Sequence, residues 1–108
     1  MQYGMVIDLE RCMGCQTCAT ACKLANNLPS GTWWNTVYTE GGETIDTASG
    51  GYPDCKLQHY PVSCQHCKNP SCLAVCPTGA TYKDEETGIV MIDEETCIGC
   101  KTCIEACP

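Results

Sequence analysis

Cysteine spacing is the feature of this sequence with the clearest chemical meaning. Thirteen of the 108 residues are Cys, and twelve of them fall into three tight runs. At this density, Cys residues either form disulfides in a secreted protein or bind metal in a reducing compartment. Run one is Cys12-x2-Cys15-x2-Cys18-x3-Cys22, run two is Cys64-x2-Cys67-x4-Cys72-x3-Cys76-Pro77, and run three is Cys97-x2-Cys100-x2-Cys103-x3-Cys107-Pro108.

The grouping of the cysteines favours metal binding over a disulfide framework. An odd number of Cys leaves one thiol unpaired, and no export signal is visible after Met1. Zinc is the main competing metal, but zinc sites use pairs of Cys, or Cys with His, rather than triads with a distant fourth thiol. His66 lies between Cys64 and Cys67 and is a possible ligand, although a loop-filling role is favoured.

The spacing within runs two and three predicts two [4Fe-4S] clusters. C-x2-C-x2-C-x3-C-P is typical of bacterial ferredoxins, in which the fourth Cys binds the other cluster. That Cys lies about one helical turn, or roughly 6 Å, beyond the triad, so two runs that exchange ligands hold clusters on the order of 10 Å apart. A hairpin is predicted between runs two and three, so we expect these two runs to pair and exchange their fourth cysteines. We expect cluster A on Cys64, Cys67, Cys72 and Cys107, and cluster B on Cys97, Cys100, Cys103 and Cys76.

Run one lacks a mate in this sequence. Cys12, Cys15 and Cys18 can hold three irons of an incomplete third cluster, whereas Cys22 should point toward a cluster whose own triad is missing. Cys55 is the one remaining thiol, and it either completes the site or is a bystander, the latter being favoured.

An internal repeat predicts the elements that position the runs. Residues 7–22 recur as residues 92–107, including Gly14/Gly99 and Thr17/Thr102. Each copy is interpreted as a short strand, a glycine-containing loop and a short helix. The expected strands cover residues 5–7 and 89–92, the expected helices residues 15–25 and 100–106, and the hairpin pairs residues 80–83 with 89–92 across a polar turn at 84–88.

The segment 28–60 differs in composition from the rest of the chain. It is rich in Gly, Thr, Ser and Asp and is interpreted as a mobile or partner-facing insertion, with possible strands at 36–39 and 56–60. At least one of Trp33 and Trp34 is expected to fill a small core. The whole is predicted to be one α+β domain over residues 1–108, with a ferredoxin-like two-[4Fe-4S] fold of short strands, a hairpin and short helices plus this loop/β insertion.

Composition excludes several classes of protein. The formal net charge is −7 with six Lys and Arg, which disfavours a nucleic-acid partner, and no apolar run is long enough to span a bilayer. The chain has no Phe and two Trp. Burial alone would therefore give marginal stability, and we expect the cluster-free chain to be largely unfolded.

The sequence resembles the four-cluster iron-sulfur subunit of molybdopterin oxidoreductases, the group that contains dimethyl sulfoxide, polysulfide and nitrate reductases. The resemblance rests on residues 7–12 with run one, residues 61–72, residues 76–80 and residues 97–108. It implies that run two pairs with run three and run one with a fourth run. Because this chain ends after the third run, the resemblance implies an N-terminal fragment.

The resemblance also implies a function. Such a subunit passes electrons between a quinol-linked membrane anchor subunit and a large molybdopterin catalytic subunit, and has no catalytic residues of its own. We expect a location in the cytoplasm, or export with a partner that carries the signal, peripheral to the membrane. The alternatives are a free-standing two-cluster ferredoxin, a structural zinc domain, and an enzyme with an exchangeable iron on run one.

Overall fold

The fold was analysed in a computed structural model that describes residues 3–41 and 47–108. The chain divides into two compact units, an N-terminal unit of Val6–Cys64 and a C-terminal unit of Met1–Met5 with Gln65–Pro108. Both units contain short helices and short strands, which confirms the predicted mixture of helix and strand. Residues 42–46 of the predicted insertion lie outside the described residues.

The N-terminal unit is built from one helix and one hairpin. Helix α1 covers Thr17–Ala25, and strands β1 (Asn35–Thr39) and β2 (His59–Ser63) pair antiparallel, with Val37 opposite Pro61. Helix α1 packs on β1, and Ala19 of the helix and Val37 of the strand are both buried. The segment 28–60 therefore supplies β1 and the first two residues of β2. The strand predicted at 36–39 is confirmed, and the one predicted at 56–60 lies at His59–Ser63.

Two expectations for the N-terminal part of the chain are wrong. Residues 5–7 form no strand, and Val6 is 97% exposed; within the described residues no other segment pairs with them. Apolar, β-branched composition cannot make a strand without a partner edge. Trp33 and Trp34 fill no core, because both are half exposed, and the Lys23 ammonium lies 4.6 Å from the centre of the Trp33 ring.

The C-terminal unit contains two very short helices and the predicted hairpin. Helix α2 covers Ser71–Ala74, strands β3 (Thr81–Lys83) and β4 (Val90–Ile92) pair antiparallel, and helix α3 covers Thr102–Glu105. The hairpin turn is closed by the Asp84 carboxylate, which accepts hydrogen bonds from the Glu86 amide at 3.1 Å and the Thr87 hydroxyl at 2.5 Å. Helix α2 packs on α3 and β3.

The apolar core of the described residues is small. Their buried hydrophobic residues are Ala19 and Val37 in the N-terminal unit and Ala80 in the C-terminal unit. At about 1.5–3 kcal/mol for each large buried side chain, such a core contributes little against the entropy of folding. Burial of apolar side chains thus accounts for little of the stability, and a bound cofactor is expected to contribute to it, as the composition suggests.

Candidate iron-sulfur sites

The loops of runs one and three have the same backbone conformation. Gly14 and Gly99 have φ of 71° and 69°, and two residues later Gln16 and Lys101 have φ of 62° and 63°. Left-handed residues that alternate with right-handed ones direct successive backbone N–H groups toward one side and form a concave anion site, as in many iron-sulfur proteins. Both loops have left-handed residues on either side of their second Cys, a conformation that such anion sites use.

These left-handed residues also explain where the helices begin. Gln16 is the residue before α1 and Lys101 the residue before α3, and neither helix can extend backward through such a residue. The helices predicted at 15–25 and 100–106 consequently begin two residues later than expected. Both loops keep their second Cys outside the helix.

Run two takes a different route to a similar turn. His66 stands where the other runs have Gly and has φ of 45°, and its Nδ1 accepts a hydrogen bond from the Val90 backbone N–H at 3.0 Å. The Lys83 ammonium donates to the carbonyl oxygens of Cys67 at 2.8 Å and Lys68 at 3.1 Å. Strands β3 and β4 thus anchor the run-two loop. The His66 Nδ1 is occupied by this hydrogen bond, which supports a structural role for the residue.

Four of the predicted ligands line one pocket in the C-terminal unit. Cys76 follows α2, whereas its three companions belong to run three. The pocket combines sulfur atoms with threonine hydroxyls and apolar groups; its lining includes Cys76, Cys97, Cys100, Cys103, Thr78, Thr81, Ala80 and Ile92. These four cysteines are the set that the spacing predicts for cluster B. Within residues 3–41 and 47–108, no three His, Cys, Asp or Glu side chains converge on a point suited to a single metal ion.

Hydrogen bonds favour the thiolate form of cysteines in this pocket. The backbone N–H of Thr81, followed by the Thr78 hydroxyl, lowers the pKa of Cys76 to about 6. The Thr102 hydroxyl lies 3.3 Å from the Cys100 sulfur and lowers its pKa, against an opposing contribution from the nearby Cys76. Because iron binds the thiolate, the pocket's donor groups prepare these two residues as ligands.

The predicted cluster A set divides between the two units. Cys67, Cys72 and Cys107 belong to the C-terminal unit, and Cys64 is the last residue of the N-terminal unit. None of the thirteen cysteines, all of which lie within the described residues, forms a disulfide. This ligand set stays a prediction that rests on the spacing.

Run one has its own support in the N-terminal unit. The buried imidazole of His59 lies against Gly14, so closely that a Cβ on Gly14 would come within 2.5 Å of His59 Cδ2. The Thr17 hydroxyl lies 3.2 Å from the Cys15 sulfur, and this hydrogen bond lowers the pKa of Cys15. Cys22 lies within α1, where the side-chain amide of Asn26 is 3.7 Å from its sulfur. The third cluster remains a prediction.

Comparisons with known proteins agree with this chemistry. A family model described as "4Fe-4S dicluster domain" matches residues 55–108, and one described as "4Fe-4S binding domain" matches residues 3–24. The chain belongs to the 4Fe-4S dicluster domain family. The prediction of [4Fe-4S] clusters as the cofactor is thereby confirmed.

Relatives of this dicluster chain include named subunits of reductases. It is 49% identical to a putative dimethyl sulfoxide reductase iron-sulfur subunit of Halobacterium salinarum, over 98% of this chain and 42% of the relative. It is 44% identical to the arsenate respiratory reductase iron-sulfur subunit ArrB of a Shewanella species, over 100% of this chain and 43% of the relative.

A third relative is the thiosulfate reductase electron transfer subunit PhsB of Salmonella typhi, 46% identical over 99% of this chain and 53% of the relative. The dicluster chain thus spans about half the length of these curated relatives. The resemblance inferred from the motifs is confirmed. Among the described residues, no helix is both long and apolar enough to cross a membrane.

The residues around the sulfur atoms fit the dicluster family's cofactor. Thiolates bind iron, while left-handed loops and hydroxyl donors suit the negative charge of a cluster. Sequence reasoning missed the roles of Thr78, Lys83 and His59. It noted Thr17 and Thr102 as repeat positions without assigning them a partner, although the Cys-x-Thr spacing was a usable signal.

Proposed function

We propose that this chain conducts electrons through [4Fe-4S] clusters as part of the iron-sulfur subunit of a molybdopterin oxidoreductase complex. The pocket that joins Cys76 to the triad of run three carries the proposal, because ligand exchange between runs is what a two-cluster carrier requires. The dicluster family match and the reductase subunits among the relatives support the same function.

In this proposal the C-terminal unit provides most of a ferredoxin-like two-cluster arrangement. Cluster B is bound by Cys76, Cys97, Cys100 and Cys103, and cluster A by Cys64, Cys67, Cys72 and Cys107. When bound, each cluster supplies a one-electron carrier. The chain's own groups hold the sulfurs as thiolates, orient them through threonine hydroxyls and backbone N–H groups, and fix the run-two loop through Lys83 and His66.

The partners follow from the same proposal. Electrons pass between a quinol-linked membrane subunit and a large molybdopterin catalytic subunit, which carries out the bond chemistry. The chain lies peripheral to the membrane, either in the cytoplasm or exported with a partner that carries the signal. The net charge of −7 suits docking on basic surfaces of these subunits.

A free-standing two-cluster ferredoxin is the second candidate. It is favoured by one observation, namely that the dicluster match over residues 55–108 contains runs two and three in full. Such a carrier needs no more than these eight cysteines, and run one would then have no electron-transfer role.

Metal analysis tests the cofactor part of the proposal. The 108-residue chain, purified without oxygen, is expected to contain about eight iron and eight acid-labile sulfide ions, or about twelve of each if run one is loaded. Reduction should give the EPR signal of interacting [4Fe-4S]⁺ centres. The Cys55→Ser variant serves as the control and should load equally. Zinc without sulfide would contradict the proposal.

Co-purification tests the partner. A tagged chain expressed in cells that respire anaerobically is expected to bring down molybdenum in proportion to itself. Full cluster loading with molybdenum absent, and with electron delivery to several unrelated acceptors, would favour the free ferredoxin instead.

A further inference from the structure

Threonine hydroxyls lie beside sulfur atoms at matching positions of two loops. Thr17 Oγ1 is 3.2 Å from the sulfur of Cys15, and Thr102 Oγ1 is 3.3 Å from that of Cys100. In both cases the Thr follows the Cys by two residues, at the start of a helix. Run two has Asn69 at the corresponding position, so the hydroxyl is a property of runs one and three.

The pocket in the C-terminal unit receives a second such hydroxyl. Thr78 Oγ1 is 3.7 Å from the sulfur of Cys76, and Thr78 lines the same pocket as Cys100. The sulfur of Cys76 also receives the backbone N–H of Thr81. Two of the four cysteines in this pocket are therefore hydrogen-bonded by side-chain hydroxyls.

These hydrogen bonds have a defined direction once the cysteines bind iron. An iron-bound thiolate has no proton to donate, so each hydroxyl must be the donor and the sulfur the acceptor. Donation to sulfur offsets negative charge on the ligand. Because the reduced cluster carries one more negative charge than the oxidised one, the hydrogen bond stabilises the reduced form more and raises the reduction potential.

We propose that Thr102 and Thr78 are positioning residues that raise the reduction potential of the cluster bound by Cys76, Cys97, Cys100 and Cys103. This inference rests on the proposed function and assigns the control of one carrier's potential to two hydroxyls. The effect of Thr102 exceeds that of Thr78, because its oxygen lies closer to sulfur.

A redox titration of isosteric variants tests the inference. Thr102→Val removes the hydroxyl and keeps the side-chain shape, whereas Thr102→Ser keeps the hydroxyl. Thr96→Val is the matched control, because Thr96 lies next to Cys97 but donates its hydroxyl to the Asp93 carboxylate at 2.6 Å. Each full-length chain is loaded anaerobically, assayed for iron and sulfide, and titrated under EPR detection.

Thr102→Val is expected to shift one of the two reduction waves to lower potential and to leave the other in place. Thr102→Ser and Thr96→Val should titrate like the parent chain, and Thr78→Val should give a smaller shift in the same wave. Unchanged waves in fully loaded Thr102→Val and Thr78→Val would overturn the inference.

If Thr102→Val loads less iron than the parent chain, Thr78→Val provides the same test outside α3. Loss of iron from both variants would also overturn the inference, because the hydroxyls would then serve assembly rather than potential. A parent chain without iron and sulfide would instead refute the proposed function itself. The iron and sulfide content of the parent chain is therefore measured before any variant is titrated.

Discussion

The loops of runs one and three have the same backbone conformation but contact different parts of the structure. In the N-terminal unit, run one leads into the nine-residue helix α1 and lies beside a hairpin with five-residue strands. In the C-terminal unit, run three leads into the four-residue helix α3, and strands β3 and β4 have three residues each. A Cβ on Gly14 would meet His59, whereas one on Gly99 would have no atom within 4 Å.

The shape of these loops is encoded locally, whereas their stability depends on the surrounding structure. Identical Cys-x-Gly-Cys-x-Thr spacing gives the same left-handed positions on two unlike scaffolds. Packing supports the loop in one case. In the other, little of the chain is buried, and metal binding must contribute to folding.

Cluster removal should affect the two units unequally. Chelation of iron under anaerobic conditions is expected to leave the chain largely unfolded, with loss of most of its circular dichroism. In hydrogen exchange, amides of residues 65–108 should lose all protection. Amides of β1 and β2 should keep partial protection, because Val37 and His59 are buried there.

Reloading with iron and sulfide provides the control for that experiment, since it should restore the spectrum. A chelated chain that keeps its native spectrum, or that loses protection in β1 and β2 first, would contradict the assigned difference between the units.

The fourth cysteines of runs one and two should differ in their effect on iron content. Cys76→Ala removes a predicted ligand of cluster B, so the chain should lose between about one and four irons, depending on whether a [3Fe-4S] remnant persists. Cys22→Ala should leave the iron content unchanged, because its predicted cluster requires a further run. Iron and sulfide analysis with EPR measures both.

Cys55→Ala is the matched control for these variants and is expected to behave like the parent chain. Iron loss in Cys22→Ala would show that run one uses all four of its cysteines within this chain. Full loading of Cys76→Ala would remove Cys76 from cluster B.

Alanine at the two loop glycines should separate backbone strain from steric clash. A left-handed alanine costs about 1–2 kcal/mol, which is the whole effect expected for Gly99→Ala. Gly14→Ala adds a contact of 2.5 Å with His59 and is expected to cost about 3–4 kcal/mol in total. Thermal unfolding of the loaded chain, followed by visible absorbance, measures both.

A double variant identifies the cause of the larger cost. His59→Ala is expected to relieve part of the destabilisation by Gly14→Ala and to have no such effect on Gly99→Ala. The two substitutions should therefore show a coupling free energy for the contacting pair His59 and Gly14, and none for His59 and Gly99. Equal destabilisation by the two glycine substitutions would show that the surroundings of the loops do not matter.

Much of the site was predictable from the sequence because cluster chemistry fixes spacing. The β3–β4 hairpin and the strand at 36–39 follow from patterns that act over a few residues, whereas the approach of Cys76 to run three was expected from the ferredoxin spacing rule. The helix starts at Thr17 and Thr102 were misplaced because Gln16 and Lys101 adopt left-handed conformations that their residue types do not signal.

Long-range contacts account for the rest. The contact of His59 with Gly14 joins residues 45 positions apart in sequence, and the hydrogen bond from Val90 to His66 joins residues 24 apart. Periodicity and turn rules describe neighbours along the chain and contain no information on such pairs. The strand expected at residues 5–7 failed for the same reason, since a strand depends on a partner elsewhere.

Acid lability should give the smallest effect and concerns the pocket of run three. The pKa of Cys76 is lowered to about 6, mainly by the Thr81 backbone N–H and next by the Thr78 hydroxyl. Above this pH the metal-free residue is a thiolate, and a proton competes more strongly with iron for the sulfur as the pH falls. Loss of visible absorbance after a pH jump should therefore accelerate as the pH is lowered.

Thr78→Val removes one of the groups that lower this pKa, so its acceleration should begin at a higher pH. Thr96→Val, whose hydroxyl bonds a carboxylate and not a sulfur, should match the parent chain. The same onset in Thr78→Val and the parent would mean that the donors around Cys76 do not govern its proton affinity in the loaded protein. A shift confined to Thr78→Val would show that the hydroxyl beside Cys76 helps this pocket to retain iron in acid.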